Sequence, residues 1–142
     1  MRKILIFIIC FSLILGVVGC SEKLPEGIEN KEFYKDMVNS IKVYEKHLKS
    51  KEPILDNNSN YINKNDEKIL EKTLIYANEK LTEKEQRIYI IVNSLFIYID
   101  TYCSTSNEDI QTLNVAKEQI SKLSKELFNL LDLDMNVDEL LK

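Results

Sequence analysis

The strongest constraint on this chain is a spacing. From Leu113, the apolar residues Ala116, Ile120, Leu123, Leu127 and Leu130 follow at steps of 3, 4, 3, 4 and 3. Only an α-helix brings residues three and four apart onto one face, so this run predicts a helix with an apolar seam that a partner must cover. A second such run, Phe33, Met37, Ile41, Tyr44 and Leu48, steps by 4, 4, 3 and 4. Asn30 stands where an N-cap belongs, Lys46, Lys49 and Lys51 suit the negative C-terminal end, and Pro53 closes the segment.

Two more helices are expected between these. One runs from about Asp66 to Leu81, with Leu70, Leu74, Ala77 and Leu81 on one stripe. The other opens at Thr82-Glu83-Lys84-Glu85, a capping box in which Thr82 and Glu85 satisfy each other's amides. It continues through Ile88 to Tyr102, apolar nearly all round, which predicts a helix buried on several sides. The β-branched Ile88, Ile90, Ile91 and Val92 leave a strand as the alternative there. Ser104 to Asn107 reads as a turn, and Asn136 to Glu139 as the cap of a short final turn. Three Gly and two Pro are too few for a turn-rich β-sandwich, and no internal repeat is present. The expected fold is all-α, a small antiparallel bundle of about four helices over residues 30–142.

The first twenty residues are of another kind. Met1-Arg2-Lys3 is a short basic start, followed from Ile4 to Val18 by an apolar run broken only by Ser12 and Gly16. As a helix those 15 residues span about 22 Å. A bilayer core is about 30 Å thick, so the run fits the apolar part of a secretory signal better than a membrane span. It ends in Val17-Val18-Gly19-Cys20, which resembles the lipobox of bacterial lipoproteins: two aliphatic residues, a small residue, then Cys. Val17 departs mildly from that pattern, in which Leu is commoner. The resemblance covers residues 1–20 alone. It implies that the Cys20 thiol receives a diacylglycerol, that residues 1–19 are cut away as a signal peptide, and that the acylated Cys20 holds the chain to the lipid bilayer. An ordinary secretory signal cut near Gly19, or an uncleaved anchor, is the other reading.

Removing residues 1–19 takes away Arg2 and Lys3 and no acid, which moves the formal charge from −4 to −6. Such a chain is a poor nucleic-acid binder, and anionic headgroups should repel it, so the acyl chains must do the anchoring. Residues 20–29 form the expected tether, and the nine after Cys20 reach at most about 30 Å when extended. That favours a partner at the membrane surface. Eighteen Ile, 17 Lys and 13 Asn against two Arg look like the usage of an AT-rich bacterial genome.

Candidate sites are few. Counted from Asp56, oxygen ligands at Asp56, Asn58, Asn60 and Glu67 match positions 1, 3, 5 and 12 of a calcium loop. Tyr61 stands where that loop needs glycine, Lys64 puts a cation at position 9, and Pro53 interrupts the incoming helix. The plain reading is a solvated Asn-rich loop, so no metal and no cofactor are expected. Cys103 is a thiol with no internal partner once Cys20 is acylated, and His47 is the sole imidazole, on a different helix. With no third member in view, Cys103 reads as a small apolar residue at a helix end. The seven Tyr, among them Tyr34, Tyr44, Tyr89, Tyr98 and Tyr102, read as core residues with hydroxyls at the rim, a recognition patch being the alternative. Glu67 and Glu71 belong to solvated helix faces. No Gly-rich phosphate loop, HExxH, GxSxG or CxxC occurs.

The expectation is therefore a non-enzymatic lipoprotein at the outer face of the cell membrane. Its bundle would bind a membrane or envelope protein; binding of a small ligand, glycan or peptide in a cleft between helices is the alternative.

Overall fold

The computed structural model describes residues 23–134 and residue 141. Val17, Val18, Gly19, Cys20 and the segment Asn136 to Glu139 lie outside the described residues. Four α-helices follow one another: α1 (Lys31–Ser50), α2 (Lys64–Leu74), α3 (Glu83–Ser104) and α4 (Ile110–Leu131). A single 3₁₀ turn, Ile75–Asn78, extends α2. No strand occurs among the described residues, only an isolated bridge between Leu55 and Tyr61, so the helical reading of 88–102 holds and the strand alternative falls.

Each helix starts where a polar side chain can take up an orphan amide. Asn30 accepts the Phe33 N–H, Asn63 those of Asn65 and Asp66, and Asp109 that of Thr112. Thr82 and Glu85 form the expected capping box of α3. α1 ends at Lys51 and α4 at Asp132, both in the left-handed conformation, each returning its N–H to a carbonyl of the last turn.

The contacts set the helix directions. Asn30 meets Glu85 and His47 meets Cys103, so α1 and α3 run parallel. Lys46 of α1 meets Asp66 at the start of α2, while Tyr76 just beyond α2 meets Asp36 near the start of α1. Arg87 meets Glu126 and Lys117 lies over the Tyr102 ring, so α4 runs back along α3. The result is an up-down-up-down bundle. Its interior holds Phe33, Met37 and Ile41 of α1, Leu70 of α2, Ile88, Ile91, Val92, Leu95 and Ile99 of α3, and Ala116, Ile120, Leu127 and Leu131 of α4. Each of these side chains larger than Ala116 contributes about 1.5–3 kcal/mol on leaving water, which holds the four helices together against their chain entropy.

One expectation about faces needs correction. The stripe Leu70, Leu74, Ala77 and Leu81 holds only at its ends: Leu70 and Leu81 are buried, but Leu74 is 55% exposed and Ala77 is exposed. Between Leu70 and Leu81 the buried positions are Thr73 and Tyr76, because the chain tightens into the 3₁₀ turn and steps inward every three residues. Tyr76 then sets its ring edge-on to Phe33 at 5.0 Å. Helix α3 is buried on several sides, as expected, and open on one: Ile90 and Ile97 stand 54% and 62% exposed. With α1 and α4 beside it, and Phe96 against Tyr61, the remaining side of α3 faces water.

Candidate functional site

The end of the bundle where α1 and α3 begin is built around one carboxylate. Glu85 is only 2% exposed. Its Oε1 accepts the backbone N–H groups of Glu29 (2.9 Å) and Asn30 (2.8 Å), and its Oε2 accepts that of Thr82 (2.9 Å). Burial alone would raise its pKa, but those backbone bonds outweigh burial and hold the carboxyl below its ordinary value. The chain before α1 is tied down with it. Thr82 Oγ1 donates to the Gly27 carbonyl at 2.8 Å, Lys84 Nζ to that of Glu26 at 2.6 Å, and Ile28 is buried. Gly27 turns at φ +81°, and a Cβ there would lie 3.1 Å from Lys84 Cδ. Residues 25–30 are thus a strap on the bundle. The tether expected to run to residue 29 is shorter by that much.

The opposite end holds the thiol. Cys103 is half-buried, with Sγ 3.5 Å from the backbone carbonyl of His47. Burial, reinforced by Asp100 and opposed by Lys51, pushes the thiol up to about 11, so it is protonated near neutral pH and a poor nucleophile. The His47 ring is engaged elsewhere: Nδ1 lies 2.8 Å from the Glu52 carbonyl and Nε2 3.1 Å from Asp66 Oδ2, which also takes the Lys46 ammonium at 2.6 Å. The structure brings Cys103 to the backbone of His47 and leaves its imidazole to Asp66. A cavity of about 470 Å³ opens beside Cys103, lined by Lys51, Tyr102, Thr105, Ser106, Asn107 and Lys117 among others.

The Asn-rich loop uses its own oxygens. Asp56 Oδ1 accepts the N–H groups of Asn58 (2.8 Å) and Asn60 (2.9 Å), which holds this carboxyl below its usual range. Ser59 takes a left-handed φ of 61°, closing a tight turn. Asn58 and Asn60 are exposed, and Glu67 sits in the first turn of α2. Among the described residues no group of three or more His, Cys, Asp or Glu side chains is placed to hold a metal ion. Asp100 Oδ1 accepts the N–H groups of Ile54 and Leu55 and so pins this loop to α3.

The tyrosines divide. Tyr34, Tyr89 and Tyr98 pack partly buried against the core, as their positions suggested. Tyr44 and Tyr76 do not keep their hydroxyls at the rim: Tyr44 donates to the Val92 carbonyl (2.9 Å) and Tyr76 to Asp36 Oδ2 (2.9 Å), both inside. Burial raises both phenols well above their ordinary value, and Asp36 adds to it at Tyr76. Between α3 and α4 lies a shallow groove of about 250 Å³ lined by Ile97, Tyr98, Thr101, Gln111, Thr112 and Val115. Val115 is 52% exposed, so this flank shows apolar side chains to water.

No protein-family model matches the chain, and neither curated proteins nor solved structures give a match.

Proposed function

We propose that this protein is a bacterial lipoprotein, held to the outer face of the cell membrane through acylated Cys20, whose helical bundle binds another membrane or envelope protein and carries out no catalysis. The observation that carries this reading is the sequence Val17-Val18-Gly19-Cys20 at the end of a 15-residue apolar run with a basic start. Two or three acyl chains, at about 0.8 kcal/mol per buried CH₂, anchor a domain that does not span the bilayer. Among the described residues no helix is long and apolar enough to cross a membrane. The exposed Ile90, Ile97 and Val115 offer apolar contact area on one flank for a partner.

Cross-linking on intact cells, followed by affinity capture and mass spectrometry, tests the partner half of the reading. Native protein should capture a defined membrane or envelope protein that Cys20→Ala does not. Capture of the same proteins by both forms, or of none, contradicts it.

A further inference from the structure

We infer that the strap over residues 25–30 fixes which end of the bundle meets the bilayer. The starts of α1 and α3 then lie nearest the lipid surface, and residues 51–62 and 105–109 lie farther into the medium. This rests on the anchoring reading above and adds a direction to it.

The argument is one of reach and attachment. The strap is held at Glu26, Gly27, Glu29 and Asn30 by bonds to Thr82, Lys84 and Glu85, all at the start of α3. Ile28 is buried beneath it, and its N–H closes a turn on the Pro25 carbonyl at 3.1 Å. From Cys20 to Pro25 the chain can reach at most about 18 Å. Helix α3, with 22 residues, is about 33 Å long. Its far end, at Ser104, and the turn carrying Asn107 are out of reach of a spacer that short when the helix stands upright.

Charge does not select the posture. The end where α1 and α3 begin carries Lys31 and Lys84, but also Glu32, Glu83 and Glu85 in the same first turns, and the negative C-terminal poles of α2 and α4. The orientation rests on the strap and the short reach from it to the lipid headgroup layer.

Energy transfer to a headgroup-bound acceptor reads this directly. The full-length protein, purified with its lipid and placed in vesicles of mixed zwitterionic and anionic lipids, is labelled at Lys80→Cys or at Asn107→Cys, each with Cys103→Ser. Intact mass first establishes whether Cys20 is acylated; an unmodified Cys20 overturns the anchoring reading and this orientation with it. With Cys20 acylated, transfer should be several-fold larger from position 80 than from position 107. Equal transfer from both, or the reverse order, overturns the orientation alone and describes a bundle lying flat or inverted. A Gly-Ser insertion between Leu24 and Pro25 leaves the strap intact and should shrink the difference; no change on insertion also contradicts the inference.

Discussion

The two oxygens of Glu85 accept three backbone N–H groups from two helix starts, those of Glu29 and Asn30 before α1 and that of Thr82 before α3. Placed at two positive helix poles, a carboxylate is stabilised in its charged form. Glu85→Ala leaves those amides buried without an acceptor and should cost about 2–4 kcal/mol in urea unfolding. The pH dependence follows from the lowered pKa. Stability from this charge is complete above the ordinary Glu value of about 4.3 and is lost as pH falls through the lower folded value. Wild-type protein should therefore lose stability on acidification below about pH 4.3 more steeply than Glu85→Gln. Parallel curves for the two would contradict the role given to Glu85. Half of this was readable from the chain, since Thr82 and Glu85 stand at capping-box spacing. The other half joins residues 55 and 56 apart, and no local pattern records it. The Lys46, His47 and Asp66 cluster was missed for the same reason: its members sit on two helices and form no motif.

Helix existence and type were legible wherever the apolar spacing was regular. α1 and α4 show this best, with Phe33, Met37, Ile41, Tyr44 and Leu48 all buried, and Ala116, Ile120 and Leu127 likewise. The face of α2 was not legible. Leu74 looks like a core residue by type and spacing, yet the change to a 3₁₀ turn rotates Tyr76 inward, where its hydroxyl finds Asp36 and its ring meets Phe33. A polar-tipped ring with a buried acceptor waiting for it displaced Leu74 and Ala77 from the core face. This gives a direct comparison of two leucines four residues apart. Leu70→Ala should destabilise by about 2–4 kcal/mol, as expected for a buried leucine. Leu74→Gln should change stability by less than about 0.5 kcal/mol. Urea midpoints read both, and a large loss at Leu74 would restore the continuous α-helical stripe.

At the scale of the whole molecule, the described bundle and the first twenty residues make separate statements. The bundle is closed on its own core, with each helix start capped and its loops pinned by Asp100 and Glu85. Burial holds the Cys103 thiol above its ordinary value, and the imidazole of its neighbour His47 is taken up by Asp66 and the Glu52 carbonyl. The proposed membrane attachment rests on Val17-Val18-Gly19-Cys20. Metabolic labelling of growing cells with a palmitate analogue, comparing native protein with Cys20→Ala, tests that attachment most directly. Label should enter the native chain, which should be lighter than the full translation product by residues 1–19 and heavier by its lipid, and Cys20→Ala should carry none. Label persisting in Cys20→Ala, or a native chain without lipid, would contradict it.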